Sequence, residues 1–129
     1  MSNSSTPAQF VGGVEGVVGR DSVATAPING VGTTYVAGTT PVLGGAINLV
    51  NGQTGQTALA LPATWPVGSP IIVSNTGAAA ALVFPGAATH QINGASAGAS
   101  YSVAAQKAVE FRFAGLSLTG VPQWTAVGA

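Results

Sequence analysis

The residues able to do acid–base or ligand chemistry in this 129-residue chain are few enough to name one by one. They are Glu15, Asp21, Glu110, His90, Lys107, Arg20 and Arg112, with Tyr35 and Tyr101 beside them. General acid–base catalysis needs donors and acceptors held together. A Ser-His-Asp site would have to use His90 with Asp21 or a glutamate, and no serine stands in a Gly-x-Ser-x-Gly elbow. A glycosidase pair would have to bring Glu110 to Glu15 or Asp21 across the fold. One histidine and three scattered acids fall short of a zinc or calcium ligand set. The absence of cysteine removes disulfides and thiolate chemistry. His90 stands just before a predicted turn, the ordinary place for a surface or capping histidine. The chain is therefore predicted to be no enzyme, with no catalytic residue, no metal site and no cofactor.

The glycine-rich segments fail the phosphate-loop tests. Gly12-Gly13-Val14-Glu15-Gly16 lacks the Lys-Ser/Thr end of a P-loop, and Gly30-Val31-Gly32 runs into Thr33-Thr34-Tyr35 instead of completing a dinucleotide fingerprint. Three cations against three anions give a net charge of +0 and cannot supply the phosphate contacts of a nucleic-acid binder. Charged residues make up 5% of the chain, against roughly a quarter in an ordinary domain. A surface so poor in charge is a poor colloid, and it predicts a building block whose faces are covered by other protein.

The elements that must present those faces are short strands. With Gly 19 and Pro 8, no window offers apolar spacing of three and four over a dozen uninterrupted residues, so no long helix is expected. Short β-rich runs instead recur between turn signals: 46–50, 57–61, 70–74, 80–84, 90–92, 100–103, 108–113 and 123–127. Earlier in the chain, 10–18 and 33–37 also read as strands. In the clearest run Val109, Phe111 and Phe113 alternate with Ala108, Glu110 and Arg112, which puts the first set on a buried face. Ile71, Val73, Leu82, Phe84 and Trp124 join them as expected core. Asn29-Gly30, Asn51-Gly52 and Asn93-Gly94 are each suited to the tight turn of a hairpin.

The chain fits one all-β domain, a single antiparallel β-sandwich with a jelly roll among its allowed topologies. Residues 46–129 form the sandwich module. Residues 1–45 begin as a Ser/Thr/Asn/Pro arm and become Gly/Val/Thr-rich, a stretch that suits an extended arm as well as part of the sandwich. The polar start, without a basic and apolar segment behind it, predicts no secretory signal and synthesis in a cytoplasm. The longest weakly polar stretch, 77–88, is broken by Pro85 and falls short of the ~20 residues that span a bilayer, so no membrane partner is expected.

Partner contact is expected from two places. Phe10, Val11, Val14, Val17 and Val18 lie beside Glu15, Arg20 and Asp21, the composition of a strand that adds to a partner's sheet edge, though it equally suits a first strand of the sandwich. Trp124 sits in a strand-like run and belongs to the core, whereas Trp65, between Thr64 and Pro66, is the better contact residue. The charges of 15–21 and of 107–112 are either solvated patches or matched pairs that set register with a partner.

In order, Leu61-Pro62, Gly68, Ile71-Ile72-Val73-Ser74-Asn75-Thr76-Gly77, Leu82-Val83-Phe84-Pro85, Ile92-Asn93-Gly94, Ala108-Val109-Glu110-Phe111 and the late Trp124 carry a resemblance. Over about residues 57–127 the chain resembles small β-sandwich modules of tailed-bacteriophage virion proteins, chiefly head decoration (cement) proteins and fibre parts. The resemblance brings no catalytic residues. It implies self-association, often as a homotrimer, and attachment to the major capsid protein at the capsid surface or to a tail. The lack of a long repetitive shaft favours decoration over the alternative, a fibre or spike module binding a receptor or carbohydrate.

Overall fold

The computed structural model describes residues 27–128. Among them are nine strands: β1 (Ile28–Asn29), β2 (Ile47–Asn51), β3 (Ala58–Ala60), β4 (Pro70–Asn75), β5 (Ala81–Phe84), β6 (Gln91–Ile92), β7 (Tyr101–Val103), β8 (Ala108–Leu116) and β9 (Pro122–Gly128). A six-stranded sheet in the order β1-β2-β4-β8-β9-β6 and a three-stranded sheet in the order β3-β5-β7 enclose one core. The all-β, sandwich-like expectation is borne out, and every run predicted between 46 and 127 contains a strand.

The pairing is mixed rather than antiparallel. From β1 to β5 the chain passes back and forth between the sheets and lays each strand parallel to its predecessor. Ile28 pairs with Val50 and Val50 with Asn75 in the larger sheet. Val42 bridges Ala60, and Ala60 pairs with Phe84, in the smaller one. The first half is thus a wound coil. The second half mostly reverses: β7 runs antiparallel to β5, β8 to β4, and β9 to β8, while the short β6 lies parallel to β9. The antiparallel expectation fails because Asn29-Gly30 and Asn51-Gly52 are coil corners, not hairpin turns. Asn51 donates its side-chain amide to Asn29 Oδ1 at 3.0 Å, linking successive corners. Only Asn93-Gly94 has positive φ at both residues, 53° and 73°.

Two further expectations are corrected. Residues 33–37 hold turns and irregular backbone instead of a strand, although 27–45 does join the sandwich through β1 and the Val42 bridge. In β5 the faces are inverted: Ala81 and Val83 are buried, while Leu82 and Phe84 lie half-buried on the outside. Pairing decides this, since Val83 stands opposite Leu59 and Tyr101, both on the core side. Ile71, Val73, Val109, Phe111 and Trp124 fill the core as expected, with Phe113 packed at its edge.

Candidate functional site

Among the described residues the reactive side chains do not converge. His90 faces the core, where it is 7% exposed, accepts the Trp124 indole N–H on Nδ1 and stacks on Phe113. This corrects the surface role expected of it; Trp124 and Phe113, both core-facing, draw the ring inward. Burial pushes the imidazole below its usual pKa. Glu110 and Arg112 alternate with core-facing Val109 and Phe111 on β8, and so occupy the opposite face of the sheet from His90. Their side chains pair at 2.7 Å, and Arg112 also donates to Gly68 O. Among the described residues no three His, Cys, Asp or Glu side chains group as a metal site, and no helix is long and apolar enough to cross a membrane.

Phe10, Val11, Val14, Glu15, Val17, Val18, Arg20 and Asp21 lie outside the described residues. Trp65 is half-buried, packed on the core, with its indole N–H donated to Ser69 O. In the same loop it is Val67 that is exposed.

The site that reading the sequence missed is the outer face of the six-stranded sheet. The register aligns Ile47, Ile72, Glu110 and Val127 in one row across β2, β4, β8 and β9. A second row holds Pro70, Arg112 and Thr125, and a third Leu49, Ser74 and Ala108. Ile47 is 46% exposed and Val127 69% exposed. The face therefore carries Ile47, Leu49, Pro70, Ile72 and Val127 around one self-neutralised ion pair on its central strand, with Ser74 and Thr125 beside it. Its margins are polar: Asn29 and Asn51 at one edge, and the hydrogen-bonded Gln91 and Gln123 at the other. Exposed apolar side chains inside a polar rim, with the charges paired, are the anatomy of a protein interface. A signal was present in the sequence. Ile71-Ile72-Val73 and Leu49-Val50 are unbroken apolar runs inside strands, and such runs make both faces of a sheet apolar. No family model, no curated protein and no solved structure matches this chain.

Proposed function

We propose that this chain is a non-enzymatic virion component: a decoration (cement) protein that sits on the assembled head of a tailed bacteriophage and reinforces it as a homo-oligomer. It is made in the host cytoplasm and resides on the capsid surface, bound to the major capsid protein. The observation that carries this reading is a chain whose charge is too sparse for an isolated soluble module, with a sheet face of exposed apolar residues around a neutral ion pair that other protein, a second copy included, would cover. Each such module would bridge neighbouring coat subunits, and apolar burial at ~25 cal/mol per Å² would hold the shell against internal pressure. The homotrimeric state rests on the resemblance to phage modules.

The fibre or spike alternative asks for exposed aromatic side chains grouped with polar neighbours. Here Tyr101 stands edge-on to Phe111 in the core, Trp65 packs on the core, and Tyr35 leans on Phe84. That geometry favours decoration. The test is to mix the purified protein with phage heads stripped of accessory proteins and with isolated tails. Saturable cosedimentation with heads, and heads that then survive heating better, is expected. Binding to tails alone, or to neither, overturns the reading.

A further inference from the structure

We propose that the outer face of the six-stranded sheet is a contact between two copies of this chain, stacked face to face about a two-fold axis that crosses the strands. The occupant is identified by charge. Among the described residues, Glu110 and Arg112 are two of the three acidic or basic residues, and both stand on this face, two positions apart on one strand. A two-fold axis along the strands would lay Glu110 over Glu110 of the other copy. An axis across them, level with Phe111, lays Glu110 over Arg112 and Arg112 over Glu110. Opposite charges on alternate residues are thus self-complementary in one orientation and repulsive in the other, which is how an isologous interface fixes its register.

The neighbouring rows agree with that orientation. The row containing Ile47, Ile72 and Val127 falls opposite the row of Pro70, Arg112 and Thr125, so that Ile72 meets Pro70 and Val127 meets Thr125. Small or branched side chains meet on both sides, as two sheets packed about 10 Å apart require. Arg112 arrives already oriented, because its other guanidinium nitrogen is held by Gly68 O at 2.6 Å. A foreign partner has no need of this self-matching pattern; a second copy does.

The test uses the full-length chain in sedimentation equilibrium. Wild type is expected at an even multiple of its 12.5 kDa mass, a dimer or, where the homotrimer also forms, two trimers joined face to face. Glu110→Arg makes both positions cationic, and Arg112→Glu makes both anionic. Each alone should weaken self-association at least ~10-fold, since like charges facing each other cost several kcal/mol. Mixing the two variants should restore the face-to-face pairing, because an all-cationic face then meets an all-anionic one. Circular dichroism of each variant confirms that the fold persists, and the restoration on mixing could not come from unfolded chains. A monomeric or trimeric wild type overturns the proposal. So does an oligomer indifferent to the swaps, which would mean that the chain's own first residues or another protein cover the face. Attachment to heads is read separately, on particles: variants that lose self-association yet still cosediment with heads break this contact alone.

Discussion

Trp124 donates its indole N–H to Nδ1 of His90 across 3.4 Å, with both residues buried. An Nδ1 that accepts leaves the ring proton on Nε2, so the fold is built around the neutral imidazole. Nδ1 cannot accept once the ring is protonated, and burial penalises the charge as well.

Stability should therefore depend on pH, with a definite sign. The folded-state pKa of His90 lies below its unfolded value, which is about 6.5. Between the two values the unfolded chain binds the proton and the folded one does not, so stability rises with pH. The contribution is complete above the unfolded value and is lost as pH falls through the folded one. Urea unfolding followed from pH 7.5 down to 5 should show the midpoint falling. His90→Asn, whose Oδ1 can stand in for Nδ1, should flatten that slope. His90 is the chain's single histidine, so an unchanged slope in the variant would assign the effect elsewhere.

Asn75 ties the coil to the strands that close it. Its Oδ1 accepts from Gly52 N at 3.0 Å and Gly77 N at 2.9 Å, and its Nδ2 donates to Ala79 O and Val103 O. Asn75→Ala strands three buried backbone groups and the half-buried Ala79 carbonyl, and should cost on the order of 3 kcal/mol or more by urea unfolding. Asn75→Asp should be no milder, because a carboxylate would face the carbonyls of Ala79 and Val103. A loss below about 1 kcal/mol for the alanine variant would show that water replaces the amide.

Strand positions were legible in the sequence because Pro, Gly and Asn punctuate them, and the period-two pattern of 109–113 gave the β8 faces correctly. The direction of the strands was not legible. Asn-Gly specifies a hairpin only when the next strand returns beside the last, and at Asn29 and Asn51 the chain crosses to the other sheet instead. Alternation also misled at β5. Leu82 and Phe84 are larger than Ala81 and Val83, yet the smaller pair faces the interior that also holds Phe111 and Trp124. The outer face was not legible because alternation assigns only one face: Ile71 and Val73 read as core, and Ile72 between them carried no assignment. The expected N-terminal contact residues lie outside the described residues.

The β5 inversion gives a direct comparison. Val83→Asp puts a charge into the closed core and should prevent folding, whereas Leu82→Asp should leave a folded protein of only modestly lower melting temperature. Phe111→Ala, at a fully buried site, should cost about 3–5 kcal/mol. Thermal unfolding of the three variants ranks them, and a Leu82→Asp chain that fails to fold would restore the opposite face assignment.

The coil corners set a limit on side-chain size that can be measured position by position. A Cβ on Gly77 would run into the backbone of Gly52, and a Cβ on Gly52 into the carbonyl of Ala79. Neither glycine has a positive φ, so the obstacle is space rather than backbone conformation. Both obstructing groups are main chain in adjacent coils and cannot rotate away. Gly44 also has an ordinary φ, but nothing lies within 4 Å of a Cβ placed there. Gly44→Ala should therefore be neutral or slightly stabilising through the entropy of the unfolded chain, by up to about 1 kcal/mol. Gly77→Ala and Gly52→Ala should unfold the protein or drive it into aggregates. Soluble expression followed by calorimetry separates these outcomes. If Gly77→Ala melted like wild type, successive coils would have to sit farther apart than the pairing of Val50 with Asn75 allows.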